Sequence, residues 1–438
     1  MRLRTGYNTL IFLIIVFGSC TERINPDIAL KDEENSICDD TILLDDAIKN
    51  LEVQLSILYG NNTKALESKR INRSSIQTLK GTDIFPRSKA QSLNITSDLL
   101  YLVNFDNAKG FAVLSANKKI DEDIFCITES GEISINDFKD ASNIYKIPES
   151  STTITSIVSS LILSEIILNL EYGINSTTGP DIIDNIDDAT ISKAAPSGTL
   201  YGPYCKTKWG QTTIYGTKVW NRYTPNHASA GCVVIATAQI LVYRKQANAT
   251  IFDGIPCSLT GMESVYNYST LGVAEDTTYY NQAAHFVREL GKYNQCRITY
   301  GDNDGDPSDG IAAGAKRALE YYGYVDVDKH TGFGKSNQRI ATRVIRNGKP
   351  VYLDGLESGL FSGGHAWVLD GECGDYYHIN WGWYGMSDGY FKKGTFSTTD
   401  RYSVDSIIDT QPSIASASNY TWTYRLVTYD GAVNNNVQ

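Results

Sequence analysis

The chain has 438 residues, of which 42% are hydrophobic and 20% charged. That is too long for one ordinary domain and supplies core for about two or three. A formal net charge of -11 and an isoelectric point near 5.0 argue against a nucleic-acid partner, which calls for a basic face. After the leader no stretch reaches the ~20 apolar residues of a membrane span. The longest, Ile157 to Leu170, is broken by Ser159, Ser160, Ser164 and Glu165.

Arg2 and Arg4 precede an apolar stretch from Leu10 to Phe17, and Gly18-Ser19-Cys20 follows. A basic start, a short apolar centre and small residues at a cut point describe an export signal, here residues 1–19. A cysteine directly after the small pair resembles a bacterial lipobox. On that reading Cys20 is the lipidated first residue of an outer-membrane or cell-surface lipoprotein, and this anchor is its one link to a membrane. An ordinary signal peptide cut nearby is the alternative. The eight cysteines are Cys20, Cys38, Cys126, Cys205, Cys232, Cys257, Cys296 and Cys373. They show no CxxC or zinc spacing and too low a density for a disulfide scaffold. No metal or cofactor is expected.

Residues 21–40 read as a polar tether, and Ile42 to Leu58 as a helix. Asp98 to Phe105 and Phe111 to Ser115 are β-rich runs joined by a Gly-containing loop, a hairpin. Ile124 to Ile127 continues it as a further strand. Thr152 to Asn169 reads as an apolar helix. The Asp- and Ser-rich residues 173–195 read as a linker, and Lys193 to Pro196 as a place where proteases cut. Within the stretch Ser229 to Lys245, the residues after Cys232 are apolar on nearly every side and read as a buried helix. Tyr279 to Tyr293 and Ile311 to Tyr322 are further helices, the second ending at Gly323. Between them Asp302 to Asp309 resembles the start of a calcium loop. Pro307 and Ala313 stand where that motif needs Gly and Glu, so a solvated acidic turn is preferred. Strands follow at 350–354, 365–370, 376–381 and 421–427. A helical half followed by an antiparallel sheet is an α+β arrangement.

Cys232 opens the buried helix, where the helix dipole and free backbone amides favour a thiolate, the form that attacks carbonyls. A buried structural cysteine is the plainer reading of that stretch alone. His365 follows Gly363-Gly364 at a strand start, where its ring can face a cleft and pair with the thiolate. Asn380, at the end of the next strand, offers an amide oxygen to fix the imidazole tautomer, with Trp381 covering that bond. Gln211, after Trp209-Gly210, can join the Cys232 backbone N–H in an oxyanion hole.

The motifs Trp209-Gly210-Gln211, Ala230-Gly231-Cys232-Val233, Gly363-Gly364-His365-Ala366 and His378-Ile379-Asn380-Trp381-Gly382-Trp383, with Ser387-Asp388-Gly389-Tyr390-Phe391, resemble the streptopain family (peptidase family C10, papain-like clan). The 133 residues from Cys232 to His365 fit the ~130–150 of papain-like proteases. Tyr101-Leu102-Val103-Asn104-Phe105 and Gly110-Phe111-Ala112-Val113-Leu114-Ser115 resemble the family's inhibitory propeptide. The resemblance implies a papain-like α+β peptidase domain over 196–438, preceded by an α+β inhibitory propeptide over 20–172. It implies a secreted zymogen whose partners are polypeptide substrates and its own propeptide. Cys232 and His365 are then the catalytic pair, with Gln211 and Asn380 or Trp381 assisting. Val234 and Ile235 are bulkier than the family's residues after the nucleophile. The acidic turn replaces a Gly/Ser-rich loop, which puts specificity in doubt. A catalytically altered surface lipoprotein that only binds, and a Cys/His cell-wall amidase, are the competing readings.

Overall fold

The computed structural model describes residues 40–93, 95–142, 153–172, 198–214, 217–247, 250–267, 277–357, 364–396 and 422–429. The expected signal peptide, Cys20, Cys38, the linker at 173–195 and Gly363 lie outside the described residues.

Eleven strands form one antiparallel sheet: β1 (Gln77–Lys80), β2 (Asp98–Asn104), β3 (Phe111–Ser115), β4 (Ile124–Thr128), β5 (Leu200–Tyr201), β6 (Val327–Thr331), β7 (Val351–Glu357), β8 (Gly364–Cys373), β9 (Tyr376–Asn380), β10 (Gly389–Lys392) and β11 (Trp422–Tyr429). Their order is β1-β2-β3-β4-β10-β9-β8-β7-β11-β6, with β5 lying on β8. The expected hairpin is β2–β3, with Leu102 opposite Val113 and Asn104 opposite Phe111. Along β8 the side chains alternate between two cores, as a pleated strand requires. Ala366 and Val368 pack towards the helix that begins at Cys232, and Trp367 and Leu369 pack into the opposite core.

The N-terminal part joins the C-terminal part by extending this sheet. Thr128, Ile127 and Cys126 of β4 pair with Gly389, Tyr390 and Phe391 of β10. The approach is close: a Cβ on Gly389 would stand 2.4 Å from the Ile127 carbonyl oxygen, so only glycine fits there. The helix Ile154–Tyr172 shares a core with Trp367, Leu369, Trp381 and Tyr424. Its Val158, Leu161, Ile162 and Ile166 are buried, each contributing about 1.5–3 kcal/mol by leaving water.

The central helix runs Cys232–Arg244 and every residue from Val233 to Val242 is buried, which is why its sequence shows no polar stripe. Several elements go beyond the sequence reading, two of them next to the sheet half of the C-terminal part. The strand Val327–Thr331 is a short edge, and the helix Lys335–Arg346 buries only Ala341, Thr342, Val344 and Ile345. That stripe is too narrow to stand out among its charged neighbours.

Candidate active site

Gly231 precedes the central helix with φ +89°, a conformation that glycine adopts without strain and that swings the chain into the helix at Cys232. Two bonds fix the approach: Ala230 N–H donates to the Gln211 carbonyl at 2.9 Å, and Ser229 N–H donates to the Asp306 carbonyl at 2.9 Å. The acidic turn therefore borders the cysteine. Its Asp306 carboxylate is engaged locally, accepting from the backbone N–H and the side-chain amide of Asn303.

Burial pushes the Cys232 thiol up to about 11, the Asp354 charge adding to it, against the backbone amides of Ala366, Val233 and Cys232 that favour the thiolate. The sequence expectation of a lowered thiol is corrected for this state. The helix terminus and amide donors are present, but loss of water outweighs them. The Ala366 amide at the sulfur belongs to β8, the strand that also carries His365.

His365 is 4% exposed and burial lowers its imidazole to about 4, against the Trp381 hydrogen bond that raises it. Its Nε2 lies 2.8 Å from the Trp381 carbonyl oxygen. A carbonyl only accepts, so Nε2 carries the proton and Nδ1 keeps its lone pair. The rings of Trp367 and Trp381 lie at centroid distances of 6.2 Å, and Trp383 meets it edge-on at 5.7 Å. With the thiol raised and the imidazole lowered, both groups are neutral at pH 7 in this state.

Asn380 does not hold the ring. Its Oδ1 accepts from the Gln239 side-chain amide at 3.0 Å and from Gly382 N–H at 3.0 Å. Its Nδ2 donates to the Thr207 carbonyl at 2.7 Å. The direct amide–imidazole bond expected from the sequence is thus replaced by the backbone carbonyl of the next residue. Asn380 ends β9 on the side that meets the central helix, while the chain beyond it turns its carbonyl towards His365. Trp381 is fully buried, its indole N–H donating to the Ser387 carbonyl at 3.0 Å and its backbone N–H to Asp388 Oδ1 at 2.9 Å.

Gln211 is partly exposed and its Oε1 accepts from the Ser229 hydroxyl at 3.0 Å, which leaves the NH₂ as a donor beside the Cys232 loop. A residue outside the sequence reading, Tyr384, fixes this segment. A Cβ on Gly210 would stand 2.2 Å from the Tyr384 ring, and the Tyr384 hydroxyl lies 2.8 Å from Thr212 N and 2.7 Å from its Oγ1.

Some distance along β9, His378 is fully buried with Nδ1 2.6 Å from Asp370 Oδ1 and Nε2 3.6 Å from Glu129 Oε1. Burial opposes its charge, but Asp370 and Glu129 raise it to about 10. Glu129 belongs to the N-terminal part, next to β4. Burial raises its carboxyl, and the contact and charge of His378, with Lys208 and Lys69, more than reverse that and hold it below the ordinary range.

A cysteine opening a buried helix, beside a strand that carries an oriented histidine, over an antiparallel sheet, defines a papain-like α+β fold. Residues 209–391 match the model of the Peptidase C10 family, and over this segment the chain is similar to that family. Streptopain of Streptococcus pyogenes is 32% identical over 190 residues, 39% of this chain and 47% of that protein. The chain thus spans about half the length of the curated relatives it matches. Prointerpain A of Prevotella intermedia aligns over 81% of this chain and 98% of its own, with 16% identity and a TM-score of 0.49. Active interpain A of the same organism aligns over 57% and 98%, with 20% identity and a TM-score of 0.40.

Proposed function

We propose that the chain is an exported cysteine endopeptidase made as a self-inhibited zymogen, its N-terminal part up to residue 172 being the inhibitor. The observation that carries this is the sulfur of Cys232 at a helix N-terminus, met by three backbone amides, one of them that of Ala366, the residue after a histidine whose Nε2 is held by the Trp381 carbonyl. Once water and substrate reach the site, the proton passes from sulfur to the Nδ1 of His365. The thiolate attacks the peptide carbonyl carbon, and the oxyanion takes the Cys232 N–H and the Gln211 amide. His365 then protonates the leaving amine, and water hydrolyses the thioester.

Self-inhibition is supported by the neutral pair and by one physical link. Glu129 N–H donates to the Asp388 carbonyl at 2.6 Å and the Ser130 hydroxyl to the Gly385 carbonyl at 2.5 Å. That same loop holds Trp381, whose carbonyl holds His365. The N-terminal part therefore grips the support of the imidazole. Activation follows a cut within 173–195, near Lys193 to Pro196, releasing about 240 residues. Lipidation at Cys20 completes the reading; loss of labelled palmitate in Cys20→Ala tests it.

Gln211→Ala is expected to lower kcat about 10²–10³-fold with KM little changed, because it removes one oxyanion donor. Steady-state kinetics on a peptide substrate measure this, and an unchanged kcat removes Gln211 from the site.

A further inference from the structure

We propose that Gln239 is a positioning residue that fixes the His365 ring through Asn380 and the peptide bond between Trp381 and Gly382. The inference rests on the peptidase reading above and names a residue outside its catalytic set. Gln239 lies on the central helix two turns after Cys232 and is fully buried. Its Oε1 accepts from Trp209 N–H at 3.2 Å, from the Thr207 hydroxyl at 2.9 Å and from the Asn380 amide at 3.2 Å. Its Nε2 donates to Asn380 Oδ1 at 3.0 Å. Backbone partners settle both amide orientations. Trp209 N–H and Gly382 N–H only donate, and the Thr207 carbonyl only accepts.

One side chain thereby ties the helix of Cys232 to the Thr207–Trp209 segment that precedes Gln211 and to the end of β9, from which the chain runs on to the carbonyl that holds His365. The last tie runs through a single peptide plane. Its N–H, on Gly382, donates to Asn380 Oδ1, and its C=O, on Trp381, accepts from His365 Nε2. Gly382 has φ +68° and no Cβ, so nothing in its own stereochemistry prevents that plane from flipping. The hydrogen bond from Asn380 holds it, and donation at the N–H also strengthens the carbonyl as an acceptor. Asn380 in turn is held by Gln239. A lone amide in an apolar helix is otherwise an expensive thing to bury, and four hydrogen bonds account for it.

The test uses the full-length chain carrying Cys232→Ala, labelled with ¹⁵N in its five histidines, with His365 assigned by its loss in His365→Ala. Above pH 5 the ring is expected to show one fixed tautomer, protonated at Nε2. Gln239→Met conserves volume and removes the lock, and it should average the two ring nitrogens, as should Asn380→Leu. Asn380→Asp, which in so buried a site stays neutral with one donor and one acceptor, should restore the fixed tautomer. In parallel, in the otherwise wild-type chain after self-cleavage, Gln239→Met should lower kcat about 10- to 100-fold with KM within about threefold. A tautomer that stays fixed in both Gln239→Met and Asn380→Leu overturns the proposal. So does averaging as complete in Asn380→Asp as in Asn380→Leu, because that is loss of packing alone. The ring signal needs no activity: a wild-type chain that cleaves nothing refutes the peptidase reading, while the tautomer still decides the role of Gln239.

Discussion

Cys232→Ala is expected to leave the full-length chain intact under conditions where the wild type shortens itself at 173–195. The substitution removes the sulfur on which the proposed acyl intermediate forms. Loss of a nucleophile in this kind of constellation costs on the order of 10⁶ in rate, far more than any supporting group. It leaves the fold in place, since the Cys232 side chain is small and lies at the helix start rather than within the buried run of Val233 to Val242. One gel with the two proteins side by side reads the outcome. Self-shortening that persists in Cys232→Ala assigns the cut to another protease or another nucleophile.

The second large effect is on stability. His378→Leu is expected to cost about 3–5 kcal/mol, because Asp370 is left fully buried without its cation. Asp370 Oδ2 also accepts from Cys205 N–H at 2.9 Å, so the carboxylate cannot simply swing out to water. The pH dependence follows from the direction of the shift. His378 is raised from 6.5 to about 10 on folding, so its contribution is fully present below pH 6.5 and is lost as pH rises towards 10. Urea unfolding of the full-length chain should give a falling midpoint across that window. The fall should be absent in His378→Leu. A variant as stable as the parent, or one keeping the same slope, contradicts the charged assignment. Glu129→Gln should matter less to stability, since the Glu129 side chain retains 21% exposure and its contact is 3.6 Å long. Its effect should appear instead as earlier self-cleavage, because it loosens the N-terminal part from β9.

Much of this molecule was readable from residue order alone. The hairpin β2–β3 announced itself through its Gly-containing loop, and the central helix through an apolar run that begins at a cysteine. Cys232, His365 and Gln211 each sit in a short motif with a chemical reason for its glycines. What escaped has a common physical cause: it depends on groups far apart in sequence. The protonation of Cys232 depends on how much water reaches the site, which no local pattern records. Asn380 was expected to hold the ring directly, but its hydrogen bonds run to Thr207, Gln239 and Gly382, one peptide removed from the ring. Gln239 had a usable signal, a lone amide seven residues after the cysteine and so on the same helix face. His378 stood inside a quoted motif, yet its charge comes from Asp370 and from Glu129 in the N-terminal part.

The most direct measurement is the rate of Cys232 alkylation by iodoacetamide against pH, followed by peptide mass spectrometry before and after the chain has shortened itself. Before the cut, reaction at Cys232 should rise only as pH approaches 11, following the raised, half-buried thiol. After the cut, a thiolate paired with protonated His365 should react at neutral pH. If both forms keep the same alkaline profile, Cys232 is a buried structural thiol and the proposed nucleophile does not exist.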